Sequence, residues 1–151
     1  MGFPFIQQNN ESRQRLEALA NRLTDADLSR AATAGWTVAA LLAHLAFWDQ
    51  RALVLLQRWK GNGVDLSPVD ADAMNDAHKP LCLALEPRRA VELCLASAAA
   101  VDAELETLTP DLVAEIEASP THFRFNRALH RNDHLAEIEG WNQASWNSGQ
   151  S

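Results

Sequence analysis

Residues 35–59, GWTVAALLAHLAFWDQRALVLLQRW, decide the fold class. Leu41, Leu42, Leu45, Trp48, Ala52, Leu55, Leu56 and Trp59 recur every three or four residues, the period of one helix face. No part of the run alternates at the two-residue period of a strand. Thr37 stands where a helix needs an N-cap, its hydroxyl able to accept from a free amide of the first turn. Gly61 and Gly63 end the run, as glycine does at helix C-termini. The segment is about as long as a bilayer span. It nevertheless contains His44, Asp49, Gln50, Arg51, Gln57 and Arg58, which lipid would penalise. It reads as the buried helix of a bundle.

On the N-terminal side, residues 5–23 predict a first long helix with Ile6, Leu16, Leu19 and Leu23 as its apolar stripe, interrupted by Thr24-Asp25-Ala26-Asp27. On the C-terminal side, residues 62–86 read as irregular. There Ser67-Pro68 opens a short helix over residues 69–77, and Pro80 breaks or kinks whatever follows. A third long helix starts at Pro87, in the favoured first-turn position, and carries Val91, Leu95, Ala98, Val101, Leu105 and Leu108 on one face. Thr109-Pro110 ends it, and a short helical piece comes next over residues 111–118. The fourth long helix spans residues 123–146, with Asn126, His130, Asp133, His134, Glu137 and Trp141 on its repeating face, before a frayed tail over residues 143–151.

These elements predict an all-α chain, a single four-helix-bundle domain over residues 1–151. About a dozen residues separate the first two long helices, and about 25 separate the second and third, enough for a crossover. The expected order is therefore up-down-down-up, with the second and fourth long helices antiparallel neighbours.

The 151 residues are 47% hydrophobic and 22% charged, an ordinary globular balance. Thirteen Lys and Arg stand against 20 Asp and Glu, for a net charge of −7. Phosphate neutralisation needs a basic face, so no nucleic-acid partner is expected, and no anionic membrane surface. Cys82 and Cys94 have no metal-like or C-x-x-C spacing. Met1-Gly2-Phe3-Pro4-Phe5 has neither the basic nor the apolar region of a signal peptide, and Ile6 does not suit myristoylation. The expectation is a cytoplasmic protein with two reduced, structural thiols.

His130 and His134 lie four apart, which puts two imidazoles on one helix face within reach of one ion. Such a pair alone also suits a solvated face. His44 adds weight because it sits among Leu41, Leu42, Leu45 and Phe47, where burial disfavours the charged form. A histidine there needs a hydrogen-bond partner or a metal. His44 is about seven residues, roughly 10 Å, into its helix, a height that an antiparallel neighbour can match with His130 and His134. Three neutral imidazoles and an open position make a catalytic rather than a structural zinc site.

Other residues are candidates by proximity. Trp48 and Trp141 could wall a pocket over the ion or belong to plain core. Asp49, Asp133 and Glu137 could orient ligand imidazoles. His78 and His122 fall in connecting segments and read as exposed and unliganded. No nucleophile elbow, G-x-G-x-x-G or phosphate loop occurs, so serine hydrolase, dehydrogenase and kinase chemistries lack support.

The stretch Gly35-Trp36-Thr37 through His44 to Asp49 resembles the signature second helix of the DinB-like family. Leu129-His130-Arg131-Asn132-Asp133-His134 is similar to that family's H-x-x-x-H helix. Val69-Asp70-Ala71-Asp72-Ala73-Met74-Asn75 resembles the segment after the crossover in the branch of the mycothiol-dependent maleylpyruvate isomerase N-terminal domain. Some members of that branch have Glu where this chain has His130, and the C-terminal extension of the isomerases is not present, so isomerisation itself is not implied.

The resemblance implies that His44, His130 and His134 bind a divalent metal ion, zinc or nickel ahead of manganese or iron. It implies a thiol-dependent S-transferase, in which a low-molecular-weight thiol is deprotonated by the ion and transferred to an electrophile. A metal-dependent hydrolase using activated water is the alternative. A non-catalytic protein that sequesters a small molecule is a third reading. A homodimer is expected, with Trp59, Trp146 or the apolar faces of the first and third long helices as interface.

Overall fold

A computed structural model describes the backbone of residues 2–148 and the side chains of residues 2–140. The expectations for the side chains of Trp141 and Trp146 and for residues 149–151 of the tail lie outside the residues so described, whereas residues 143–148, expected to fray, continue the last helix. The chain forms α1 (Pro4–Arg22), the single turn α2 (Asp25–Leu28), a 3-10 turn (Thr33–Gly35), α3 (Val38–Asn62), α4 (Ala71–Ala84), α5 (Pro87–Glu106), α6 (Pro110–Ala118) and α7 (Ala128–Ser148). Among the described residues there is no strand, only an isolated antiparallel bridge between Ala31 and Thr37. The chain is all-α.

Local chemistry sets the start and end of α3. The Thr37 hydroxyl accepts from the Ala40 amide at 3.1 Å, the expected cap. Gly61 is still helical, and Gly63 stops the helix with φ +82, a left-handed backbone that suits a residue without Cβ. By length and apolarity α3 could cross a membrane, yet most of its most apolar window is buried by the rest of the chain. It packs most extensively on α5 and also receives α4, while α1 packs on α7 and α5.

The core has two parts. One gathers Leu16 and Leu19 of α1, Leu41, Leu42 and Leu45 of α3, Val91 and Cys94 of α5, and Leu135 and Ile138 of α7. The other gathers Leu53, Leu56 and Trp59 of α3, Val101 and Leu105 of α5, and Val113 and Ile116 of α6. Phe5, Phe123 and Phe125 pack against the second part. Trp59 is thus a core residue, its Nε1 donating to the Asp65 carbonyl at 3.0 Å, and is not available to an interface.

Three expectations are corrected, the first being the role of Trp59. The second concerns α4, which extends to Ala84 and passes through Pro80. Proline removes the amide that would bond to the Asp76 carbonyl, but residues 76 and 80 are both exposed, so water can serve that carbonyl. The gain is one buried face, His78 and Cys82, with Met74 beside them.

The third concerns the last long helix, which begins at Ala128, five residues later than expected. Residues 123–127 instead place Phe123 against Trp59 and Phe125 against Phe5, with ring centroids 5.3 and 5.1 Å apart. The buried Asn9 of α1 caps α7 from a distance. Its Oδ1 accepts from the amides of Arg127 and Ala128 at 2.7 and 3.2 Å, and its Nδ2 donates to the Phe125 carbonyl at 2.9 Å. Both cysteines are free and buried, as expected, and burial raises their pKa values, Cys82 to about 11 and Cys94 to about 12.

Candidate metal centre

His44 projects from the first half of α3 and is 6% exposed. His130 and His134 project from the first two turns of α7. The fold brings the three together. Their ring centroids are 4.9 to 5.2 Å apart, and one nitrogen from each lies within 4.8 Å of the others. The Nε2 atoms of His44 and His130 face each other at 3.1 Å. Nitrogens sharing a tetrahedral zinc ion lie about 3.3 Å apart, given bonds of about 2.0–2.1 Å. The donor set therefore fits a small divalent ion.

Electrostatics points the same way. Burial, followed by the neighbouring histidines, pushes His44 down to about 3. Burial, then His134 and then Arg127, Arg124 and Arg131, pushes His130 down to about 3. Both imidazoles are neutral at neutral pH and present lone pairs, the form that binds metal.

His78, read from sequence as exposed, is buried, and its Nε2 lies 2.8 Å from Nδ1 of His44. Two forces produce this. Residue 78 lies on the buried face of α4, and the aromatic ring of Phe47 stacks on it with centroids 4.1 Å apart. When His44 donates from Nδ1 to His78, its Nε2 is left unprotonated and turned toward His130, the orientation a ligand needs. Burial lowers the His78 pKa, while the Met74 carbonyl one turn back pulls the other way without making a well-formed hydrogen bond. Nδ1 of His78 is buried with no partner among the described residues. A helical i,i+4 pattern of Met74, His78 and Cys82 was the sequence signal for this burial, masked by Pro80.

Of the three carboxylates considered as imidazole orienters, one serves. Glu137 accepts from Nδ1 of His134 at 3.3 Å and from the Thr33 hydroxyl at 2.9 Å. Asp133 is exposed. Asp49 is committed elsewhere: it is buried, and its two oxygens accept from Arg127 at 2.9 Å and from Arg131 at 3.1 and 3.2 Å. Arg131, 1% exposed, also donates to Asp102 at 2.8 and 3.0 Å and to the Ser12 hydroxyl.

The turn before α3 supplies a wall. Ala34 and Gly35 take φ values of +55 and +79, folding the chain back so that Ala32 N–H meets the Trp36 carbonyl. Lys79 of α4 donates to the Ala34 carbonyl over the open face of Gly35. Trp36 is thereby set edge-on to His44, centroids 5.3 Å apart. On the other side a cavity of ≈ 740 Å³ opens over His44 and His130, bounded by Trp48, residues 66–69 with Ala71, and residues 120–124 with Arg127. Trp48 is tied in place by its Nε1, which donates to Asn75 at 2.9 Å. His122 is exposed, as expected, and sits on this cavity's rim in a left-handed backbone, φ +54.

A family model for the DinB superfamily matches residues 8–138. No curated protein and no solved structure gives a significant match. The matched span contains α1 from its second turn, all of α3 and α4, and the three clustered histidines. The chain belongs to the DinB superfamily.

Proposed function

We propose that His44, His130 and His134 hold a divalent metal ion, zinc or nickel, and that the chain is a metal-dependent enzyme acting on a small organic molecule. One observation carries this reading: three imidazoles converge, and two of them, His44 and His130, held neutral by burial, line a cavity large enough for a substrate. We propose further that the helices form an up-down-down-up bundle with α4 in the crossover. In support, the first halves of α3 and α5 share one part of the core and their second halves share the other.

The reaction we favour is thiol transfer. A bound divalent ion supplies Lewis acidity, stabilising the thiolate of a low-molecular-weight thiol at neutral pH. In the balanced reaction, the thiol sulfur forms a bond to an electrophilic carbon. The carbon's bond to its leaving group breaks with the electron pair, and the thiol proton leaves to solvent. The chain's own residues orient and desolvate. His78 and Glu137 orient the imidazoles of His44 and His134, and Trp36 and Phe47 keep water from the back of His44 and His78. Neither cysteine competes, since both thiols are buried and held protonated.

The test is metal analysis of the purified protein followed by a screen of thiols (cysteine, glutathione, mycothiol) against alkylating electrophiles. Turnover that needs thiol, metal and His44 supports the reading. Metal-dependent ester cleavage without thiol replaces it with the hydrolase. If His44→Ala abolishes metal binding and leaves every measured function intact, the enzyme reading fails.

A further inference from the structure

The wall of the cavity over the histidines contradicts the charge of the chain. The protein carries 20 acids and a net charge of −7. Yet three arginines, Arg51, Arg124 and Arg127, line this cavity, and no Asp or Glu does. Arg127 is neutralised by Asp49 at 2.9 Å and belongs to the fold. The other two are not neutralised. Arg51 uses Nη2 to reach only neutral oxygens, the carbonyl and hydroxyl of Ser67 at 2.9 and 3.1 Å. Its guanidinium lies 6.0 Å from the centre of the Trp48 ring. Arg124 is exposed, and its side chain makes no hydrogen bond among the described residues. Neither has a carboxylate within ion-pair distance among the described residues.

Both features have a physical cost that a ligand would relieve. Burial and the nearby Arg127 disfavour the charge on Arg51, and a cleft with apolar walls strengthens such a field. The apolar share of the wall is also uncovered: Leu66 is 53% and Val69 39% exposed at the cavity, which Phe123 and Trp48 also line. The solvated parts of this leucine and valine suit the carbon body of a ligand. A guanidinium pairs with a planar or tetrahedral oxyanion through two parallel hydrogen bonds, which a lysine cannot match.

We infer that this cavity binds small organic molecules with an oxyanion head, taken by Arg51 and Arg124, and an apolar body laid against Trp48, Phe123, Leu66 and Val69. This names the substrate class of the proposed enzyme and rests on that reading only for its catalytic meaning. The two arginines are binding residues that place the molecule over the histidine floor.

The test uses the full chain, zinc-loaded and metal-stripped, with benzoate, phenyl phosphate and the neutral benzamide as probes, followed by calorimetry and Trp fluorescence. Both acids should bind at least about tenfold more tightly than benzamide. That preference should survive metal removal and shrink to below about threefold in Arg51→Gln/Arg124→Gln. It should also weaken with added salt, whereas benzamide binding should not. The single Arg124→Gln change alters an exposed side chain, so a reduced preference there reports binding rather than folding. Whether benzoate or phenyl phosphate binds better assigns the head as carboxylate or phosphoryl, and either supports the proposal. Equal binding of benzamide overturns it, as does no acid binding at probe concentrations on the order of 10 mM. A preference that persists in the double variant but vanishes with the metal also overturns it, since the anion then sits on the ion. If the protein holds no metal yet keeps the arginine-dependent preference, the enzyme reading fails and this one stands.

Discussion

Two buried polar clusters share the same pair of helices and have opposite characters. On α3, His44 and Asp49 lie less than two turns apart; on α7, Arg131 directly follows His130. Around Arg131 the bonding is complete. Asp49 and Asp102 both pair with it, Arg127 and Arg13 pair with one carboxylate each, and Ser12 and Asn9 accept the remaining contact. Around His44 the bonding is incomplete. Nε2 atoms face each other, His78 has an unpartnered nitrogen, and two imidazoles are held neutral against solvent. A closed network of paired charges specifies how helices dock, because separating the helices leaves buried charges without their partners. An open network of lone pairs contributes little to docking and is ready for a ligand. The difference separates scaffold from site within a few ångströms of chain.

The sharpest way to break the comparison is Arg131→Met. It removes the buried guanidinium that bridges Asp49 and Asp102, leaving Asp49 with Arg127 alone and Asp102 with the partly exposed Arg13 alone, and should cost about 3 kcal/mol. For a domain of this size that lowers Tm by roughly 10 °C. A change of only a degree or two would mean that the cluster does not hold the helices.

His134→Ala is the matched experiment at the site. Metal binding, measured by elemental analysis after reloading, should drop to a small fraction of an equivalent. The metal-free protein should change in stability by less than about 1 kcal/mol. A large loss of metal-free stability would make the histidines scaffold as well.

Acid should affect the two clusters differently. Unfolded His44 and His130 titrate at the ordinary value of 6.5, whereas in the fold both are held near 3. Between those values the unfolded chain takes up protons that the folded chain refuses, so stability falls as pH drops below about 6.5. The slope approaches about two protons at most. Thermal unfolding of the metal-free protein from pH 7.5 to 5, compared with His44→Asn/His130→Asn, checks this; the double variant should show a visibly flatter curve, and identical curves refute it.

The smallest effect belongs to His78→Ala. Losing the acceptor for Nδ1 of His44 should weaken metal affinity by about 10–100-fold, as loss of such partners does elsewhere. Chelator competition measures it, with Glu137→Gln as the companion at His134. An unchanged affinity would mean that His78 only fills space.

Much of this molecule was legible from nearby residues. The period of residues 38–59, the Thr37 cap and the stop at Gly63 are local, and they located α3 nearly to the residue. The His130–His134 spacing is local too. Glu137 was legible as a partner because it lies one turn from His134. His78 was not, since Pro80 masks the helix that buries it. Asp49 was misassigned because its partners, Arg127 and Arg131, are about 80 residues away. The start of α7 was misplaced because its cap is the side chain of Asn9, at the other end of the chain.

The sequence alone determined the helical character, the acidic charge balance, and the three histidines worth testing, since periodicity and spacing act over a few residues and charge is a matter of composition. Only the tertiary structure decided that these histidines meet, that His78 stands behind one of them, and that unpaired arginines face their cavity. Those facts depend on which long-range groups remain unpaired after the helices pack, and pairing across a core is set by burial rather than by neighbours in the chain.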